Sequence, residues 1–288
     1  DIARASLLVE TTPLQRSRRQ RLLLGINAEA GVIRTRLRKE SSASEIFAAL
    51  NAHFFGPEGF AAVADLTAPE NTSVAAVLDH RRGTCVGLTI VYLALAQRLG
   101  LDAHAVATPV HLFVRVKVDG HARNVEMMEA GREVDDDTYR RRYRIDEAAG
   151  VFMRELSDAE VIAHLLSNQA VALSKDGKLD EALVRYDAAL ELAPQLVAAW
   201  YNRGIDLMTA GRLQDALASF NRAIELHSSD AQAHNNRGLA KFKLGDIEGA
   251  RADFERALAI EPSLREAEDN LRHLLSRAAE PRHPVQSP

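Results

Sequence analysis

The sequence predicts an α+β domain over residues 1–150 followed by an all-α solenoid over residues 163–277. Three observations predict it. Gly177, Gly211 and Gly245 lie 34 residues apart, as do Ala182, Ala216 and Ala250, Tyr186, Phe220 and Phe254, and Ala189, Ala223 and Ala257. A fixed period of this length is the mark of stacked helical hairpins. The chain before residue 160 has no such period, and its apolar spacing is helical as far as Gly100. Beyond Gly100 the apolar residues alternate, which is the spacing of strands.

The early helices are expected over 2–9, 15–38, 43–53 and 72–80, with a loop at Gly56, Pro57 and Gly59. Leu88, Val91, Leu95 and Leu99 then form one face of a helix that starts at Cys85 and ends at Gly100. Strands are expected at 104–108, 112–118 and 122–127, and Asp119-Gly120 forms the turn between the last two. Helices followed by a small antiparallel sheet make an α+β domain.

Composition narrows the function classes. Of 288 residues, 47% are apolar and 26% charged, and the net charge of −4 gives no global pull toward nucleic acid or anionic membrane. No apolar run approaches the roughly 18 residues of a spanning helix. Cys85 is the only cysteine, so no internal disulfide can form. With one cysteine and scattered histidines, no metal site is expected. There is no glycine-rich phosphate loop, and no cofactor is expected. The basic run Arg16–Arg21, with Arg34, Arg36, Arg38 and Lys39, reads as a solvated helix face. It lacks the interleaved aromatics of a nucleic-acid surface. The first residue is Asp rather than Met, as in a trimmed or processed chain, and the compartment stays open between cytoplasm and periplasm.

One constellation could do chemistry. Thr84 is placed to cap a helix whose first turn holds Cys85, and the positive end of a helix favours a thiolate. His111 follows at the start of a strand, and the return strand carries Asn124 and Glu126 on one face. A thiol, an imidazole and a polar group that orients the imidazole are the parts of a cysteine nucleophile.

The stretches His80-Arg81-Arg82-Gly83-Thr84-Cys85, Leu95–Leu101 and Thr108–Arg115 resemble the bacterial transglutaminase-like domain, of the papain-like superfamily. Ile46–Asn51, Gly59-Phe60 and Asn71-Thr72-Ser73 extend the resemblance upstream, to the branch often fused to tetratricopeptide repeats. The resemblance implies a Cys–His–Asp triad for acyl transfer or amide hydrolysis. Cys85 matches its nucleophile and His111 its base. At the third place this chain departs, with Glu126 near the family's Asp and Asn124 as the other candidate.

The 34-residue pattern itself resembles the tetratricopeptide consensus over residues 163–262, with Trp200 and Gly204 as further matches. Residues 151–162 are expected to connect the domains, a helix over 265–277 to cover the last repeat, and 278–288 to form a disordered tail. In such repeats the first helix of each pair lines a groove. Asn168, Asn202 and Asn236 stand 34 apart on that face, flanked by Tyr201, Ile205, Met208, Asn235, Leu239 and Phe242. A column of amides can hold a peptide backbone, or fix one repeat to the next. Gln232 and Asn236 stand where some repeat domains carry cations for a C-terminal carboxylate, which disfavours that mode.

Two functions are expected from these features. The first is a thiol-dependent amidase, peptidase or transamidase acting on a polypeptide, with a protein or peptide partner in the repeat groove. The alternative is a non-catalytic adaptor whose cleft is vestigial and whose repeats mediate protein–protein interaction.

Overall fold

The structure is a computed structural model and describes residues 1–10, 15–65, 68–145 and 150–279. It divides into two units, Asp1–Ala199 and Trp200–Pro288. An α+β region followed by helical hairpins is the predicted fold class.

The first unit opens with α1 (Ile2–Ser6), α2 (Arg16–Thr35) and α3 (Ala43–Phe54). A short β1 (Ala61–Ala62), α4 (Val74–His80) and β2 (Arg82–Gly83) lead into α5 (Cys85–Leu99). β1 and β2 pair in parallel. Helix α5 is buried on nearly every side, as expected of a helix that is apolar all round. α1, α2, α3 and α4 pack around it, with the sheet on another face. Gly83 and Gly87 allow this: a Cβ at either would come within 2.4 or 2.9 Å of the Val77 side chain. This close approach of α4 sets where α5 begins, and hence where Cys85 sits.

The sheet runs in the order β3 (Asp102–Ala107), β4 (Leu112–Val118), β5 (His121–Glu126), β6 (Arg132–Glu133), all antiparallel. Asp119 and Gly120 turn β4 into β5, both at positive φ. Residues 153–156 return along β3, where Met153 N–H donates to Ala107 O and Leu156 N–H to Ala105 O. Between lies α6 (Asp136–Tyr143), which the apolar spacing does not announce. α7 (Asp158–Lys175) and α8 (Leu179–Leu192) form the first hairpin.

The N-terminal segment ties that hairpin to the α+β region. Arg185 of α8 donates to the carbonyls of Val9 (2.9 Å) and Glu10 (3.4 Å) and to Gln169 Oε1 (3.2 Å). Glu10 is buried, and its carboxylate accepts from Ala75 N–H in the first turn of α4 at 3.0 Å. Helix α7 also packs on α1 and α5.

α9 (Val197–Thr209) contains the boundary between the units. The second unit continues with α10 (Leu213–Leu226), α11 (Ala231–Lys243), α12 (Ile247–Ile260) and α13 (Arg265–Ala279). Phe220 and Phe254 fill the space beside Gly204 and Gly238, as the spacing predicts. Leu274 of α13 is buried with Ala250 and Phe254, so α13 covers the last hairpin. The tail expected over 278–288 lies outside the described residues from 280 onward.

Candidate active site and repeat surface

Cys85 occupies the first position of α5 and is half-buried. Thr84 is the N-cap residue, but its side chain caps nothing, and its buried hydroxyl has no hydrogen-bond partner among the described residues. The helix end does not activate the thiol as expected from sequence. Burial pushes the Cys85 pKa up, and the nearby Glu126 carboxylate adds to the rise. The main-chain N–H groups of Leu112 and Val86 oppose this without reversing it. Loss of water around the sulfur outweighs the helix terminus.

His111 is aimed by its own turn. Thr108 Oγ1 donates to His111 O and accepts from His111 N–H, each at 3.0 Å. Thr108 N–H also donates to His111 O at 2.9 Å. The ring lies just before β4, adjoining Leu112, whose amide faces the Cys85 sulfur. Among the described residues no hydrogen bond joins Cys85 to His111.

Glu126 ends β5 and is fully buried. Its Oε2 stands 2.9 Å from His111 Nε2, although the ring N–H is not aligned for a hydrogen bond. The same oxygen accepts from Tyr139 Oη at 2.9 Å, and Oε1 accepts from Met128 N–H at 3.0 Å. Burial alone would raise the Glu126 pKa. Its contacts with His111, Met128 and Tyr139 overrule burial and hold it below the ordinary value.

Asn124, the other candidate at this place, serves a neighbouring cluster. Its Nδ2 donates to Val134 O (3.0 Å) and Asp136 Oδ1 (2.6 Å), and its Oδ1 accepts from Arg115 Nε (3.0 Å). Arg115 and Asn124 are cross-strand partners, so β4 and β5 register makes this contact.

Two tyrosines complete the site, and sequence reasoning did not find them. Tyr139 and Tyr143 are four apart on α6 and so share a face. Tyr139 stacks on Phe113 with centroids 4.1 Å apart. Tyr143 Oη lies 3.2 Å from His111 Nδ1. The signal was present in charge rather than apolar spacing: Asp135–Asp137 open α6 and Arg140–Arg142 close it, matching the helix dipole. Among the described residues, no cluster of three or more His, Cys, Asp or Glu could hold a metal ion.

In the repeats, Asn168 on α7 and Asn202 on α9 are half-buried. Asn236 Nδ2 donates to Tyr201 Oη at 2.9 Å, thirty-five residues back. Asn235 is buried and its Oδ1 accepts from Asn270 Nδ2 at 2.9 Å, at the same offset. Asn235 and Asn236 thus link successive repeats, and Asn235 is closed to a ligand. Asp253 is a further buried group, bound by Arg237, Lys241 and His234.

Comparison with known proteins matches this picture. The profile of the transglutaminase-like superfamily fits residues 21–167. The chain belongs to that superfamily. A tetratricopeptide-repeat profile fits residues 201–265. The UPF0162 proteins of two Xylella fastidiosa strains, 9a5c and Temecula1, are each 25% identical over 156 residues. That alignment takes in 51% of this chain and 56% of either relative, so the chain spans little more than half the length of the curated relatives it matches. Among solved structures, the first tetratricopeptide domain of Spaghetti (RPAP3), bound to an HSP90 peptide, is 30% identical at a TM-score of 0.40. It covers 41% of this chain and 94% of its own. The Arabidopsis OM64 tetratricopeptide domain is 22% identical at the same score, over 41% of this chain and 98% of its own. No described helix is long and apolar enough to cross a membrane.

Proposed function

We propose that this chain is a protein-binding adaptor, with a transglutaminase-like cleft held catalytically at rest and repeats that take a polypeptide partner. The observation that carries this reading is the state of the thiol. Burial keeps Cys85 protonated, no hydrogen bond delivers its proton to His111, and the His111 Nδ1 atom faces the Tyr143 hydroxyl. A nucleophile needs the opposite on each count. In the second unit, Tyr201, Asn202 and Asn236 are half-exposed and supply aromatic and amide contacts for a peptide backbone.

A second reading has one observation in its favour: His111 Nε2 and Glu126 Oε2 are 2.9 Å apart. A carboxylate there steadies an imidazolium. In that reading the Cys85 proton passes to His111 and the thiolate attacks an amide carbonyl carbon. The C–N bond then breaks, and the amine leaves with the proton from His111. Water or a second amine then takes the acyl group and frees the thiol.

Alkylation by iodoacetamide across pH separates the two. The adaptor reading expects Cys85 to react only above about pH 8.5, the value of an unactivated thiol, because burial raises it further. It also expects Cys85→Ala to leave partner binding unchanged. Fast alkylation near neutral pH, with release of ammonia from a glutaminyl peptide that stops in Cys85→Ala, would overturn it.

A further inference from the structure

The basic stretch singled out in the sequence has no part in the cleft or the repeats. Between residues 16 and 39 there are eight cationic side chains and one carboxylate, Glu29. Among the described residues, Arg16, Arg21, Arg36 and Lys39 make no ion pair or side-chain hydrogen bond. The same helix leaves Leu24 and Val32 exposed, at 59% and 47%. They stand eight residues apart, so they lie on one face of α2.

Val32 lines one of two recesses along α2 that meet at Glu29. One, of about 470 Å³, lies between Arg21, Leu22 and Ile26 of α2 and the Phe60 and Leu78 side chains. The other, of about 600 Å³, lies between Ala28, Val32 and Arg36 of α2 and the loop from Gly56 to Gly59. Glu29 at the junction is paired with Arg81 and contacts the His53 ring, and Asp79 at the first recess is paired with Arg18. The cations left without partners are Arg21 and Arg36, one in each recess, against the single carboxylate of Glu58. The groove therefore offers two apolar hollows, each flanked by a free guanidinium.

We infer that the groove along α2 is a docking site for an acidic peptide segment of a partner protein. The segment is extended and carries two apolar side chains. The hollows are centred about eight residues apart along α2, or about 12 Å at 1.5 Å per residue. An extended chain covers that span in about four residues. The fitting pattern is two leucine-like residues four apart, which an extended chain presents on one face, with glutamate or aspartate beside them for Arg21 and Arg36. Nucleic acid suits the groove less well. Its phenyl ring, Phe60, is 7% exposed and lies under the Arg81 guanidinium, and its His53 ring is held against Glu29, so neither offers a face for a base. A membrane surface suits it less well too, because the apolar area is recessed and the stripe between Leu24 and Val32 is Ala28 and Gly31.

The test is fluorescence anisotropy on the full chain, with a fluorescein-labelled peptide of the order Glu-Leu-Glu-Glu-Glu-Leu-Glu. Binding is expected, and it should weaken about tenfold when Arg21→Glu and Arg36→Glu turn attraction into repulsion at the rim. Both side chains are exposed and unpartnered, so thermal unfolding should not change. Val32→Ser alters no charge and should also weaken binding. Four results would each overturn the proposal: no binding of the peptide, equal binding of its lysine counterpart, unchanged binding by the arginine variants, and tighter binding of an oligonucleotide or of phosphatidylglycerol vesicles than of the peptide.

Discussion

The hydroxyl of Thr108 holds the turn that aims His111, donating to and accepting from the same residue. Thr108→Val keeps the shape and removes both bonds from a buried position. It should cost about 1–3 kcal/mol, the penalty of leaving buried polar groups unpaired. A urea titration measures this, and a loss well under that range would mean the turn is held by the main chain alone. At this scale Cys85, His111 and Glu126 were legible because each sits beside a readable landmark: a helix start, a strand start and a hairpin. Thr108, Tyr139 and Tyr143 were not, because their roles depend on where α6 is carried after the sheet. The thiol's raised pKa was illegible for a related reason. A helix terminus can be read from sequence, but the loss of water around a sulfur depends on everything packed against it.

Among the elements, the hairpins of the repeats were the most legible. Their packing is local, and the small residue and its aromatic lie sixteen apart in each unit. Gly238 shows how tight that fit is: a Cβ there would stand 2.8 Å from Phe254 Cε1 and 3.1 Å from Ala250 O. Gly238→Ala should therefore destabilise the second unit by about 1–3 kcal/mol, the usual cost of overpacking, despite alanine's better helix propensity. Circular dichroism melting of the variant checks this, and a rise in melting temperature would contradict the packing argument. The hidden element was α6. Aspartates and arginines make up most of it and only Tyr139 is buried, so apolar periodicity has little to report. Its aspartate-first, arginine-last charge order was the available sign. The Asn236–Tyr201 and Asn235–Asn270 bonds lie between these extremes, since the period marks the residues without saying which neighbour they meet.

For the molecule as a whole, the order of architectures was legible: an α+β region, then helical hairpins. What the period could not reveal is that the 34-residue rhythm runs across a structural boundary. The first hairpin obeys the repeat pattern, yet Arg185 holds the carbonyls of Val9 and Glu10, and α7 packs on α1 and α5. Its side chains answer to two partners at once, and only the pattern within the hairpin is visible from sequence. Deuterium exchange exposes the result. Amides that share one cooperative opening exchange together, so those of α7 should keep time with those of α5, and those of α11 should keep a time of their own. A ligand that binds the transglutaminase-like region should slow exchange in α7 as well as in α5. Exchange of α7 in step with α11 would mean that the clasp at Arg185 does not hold in solution.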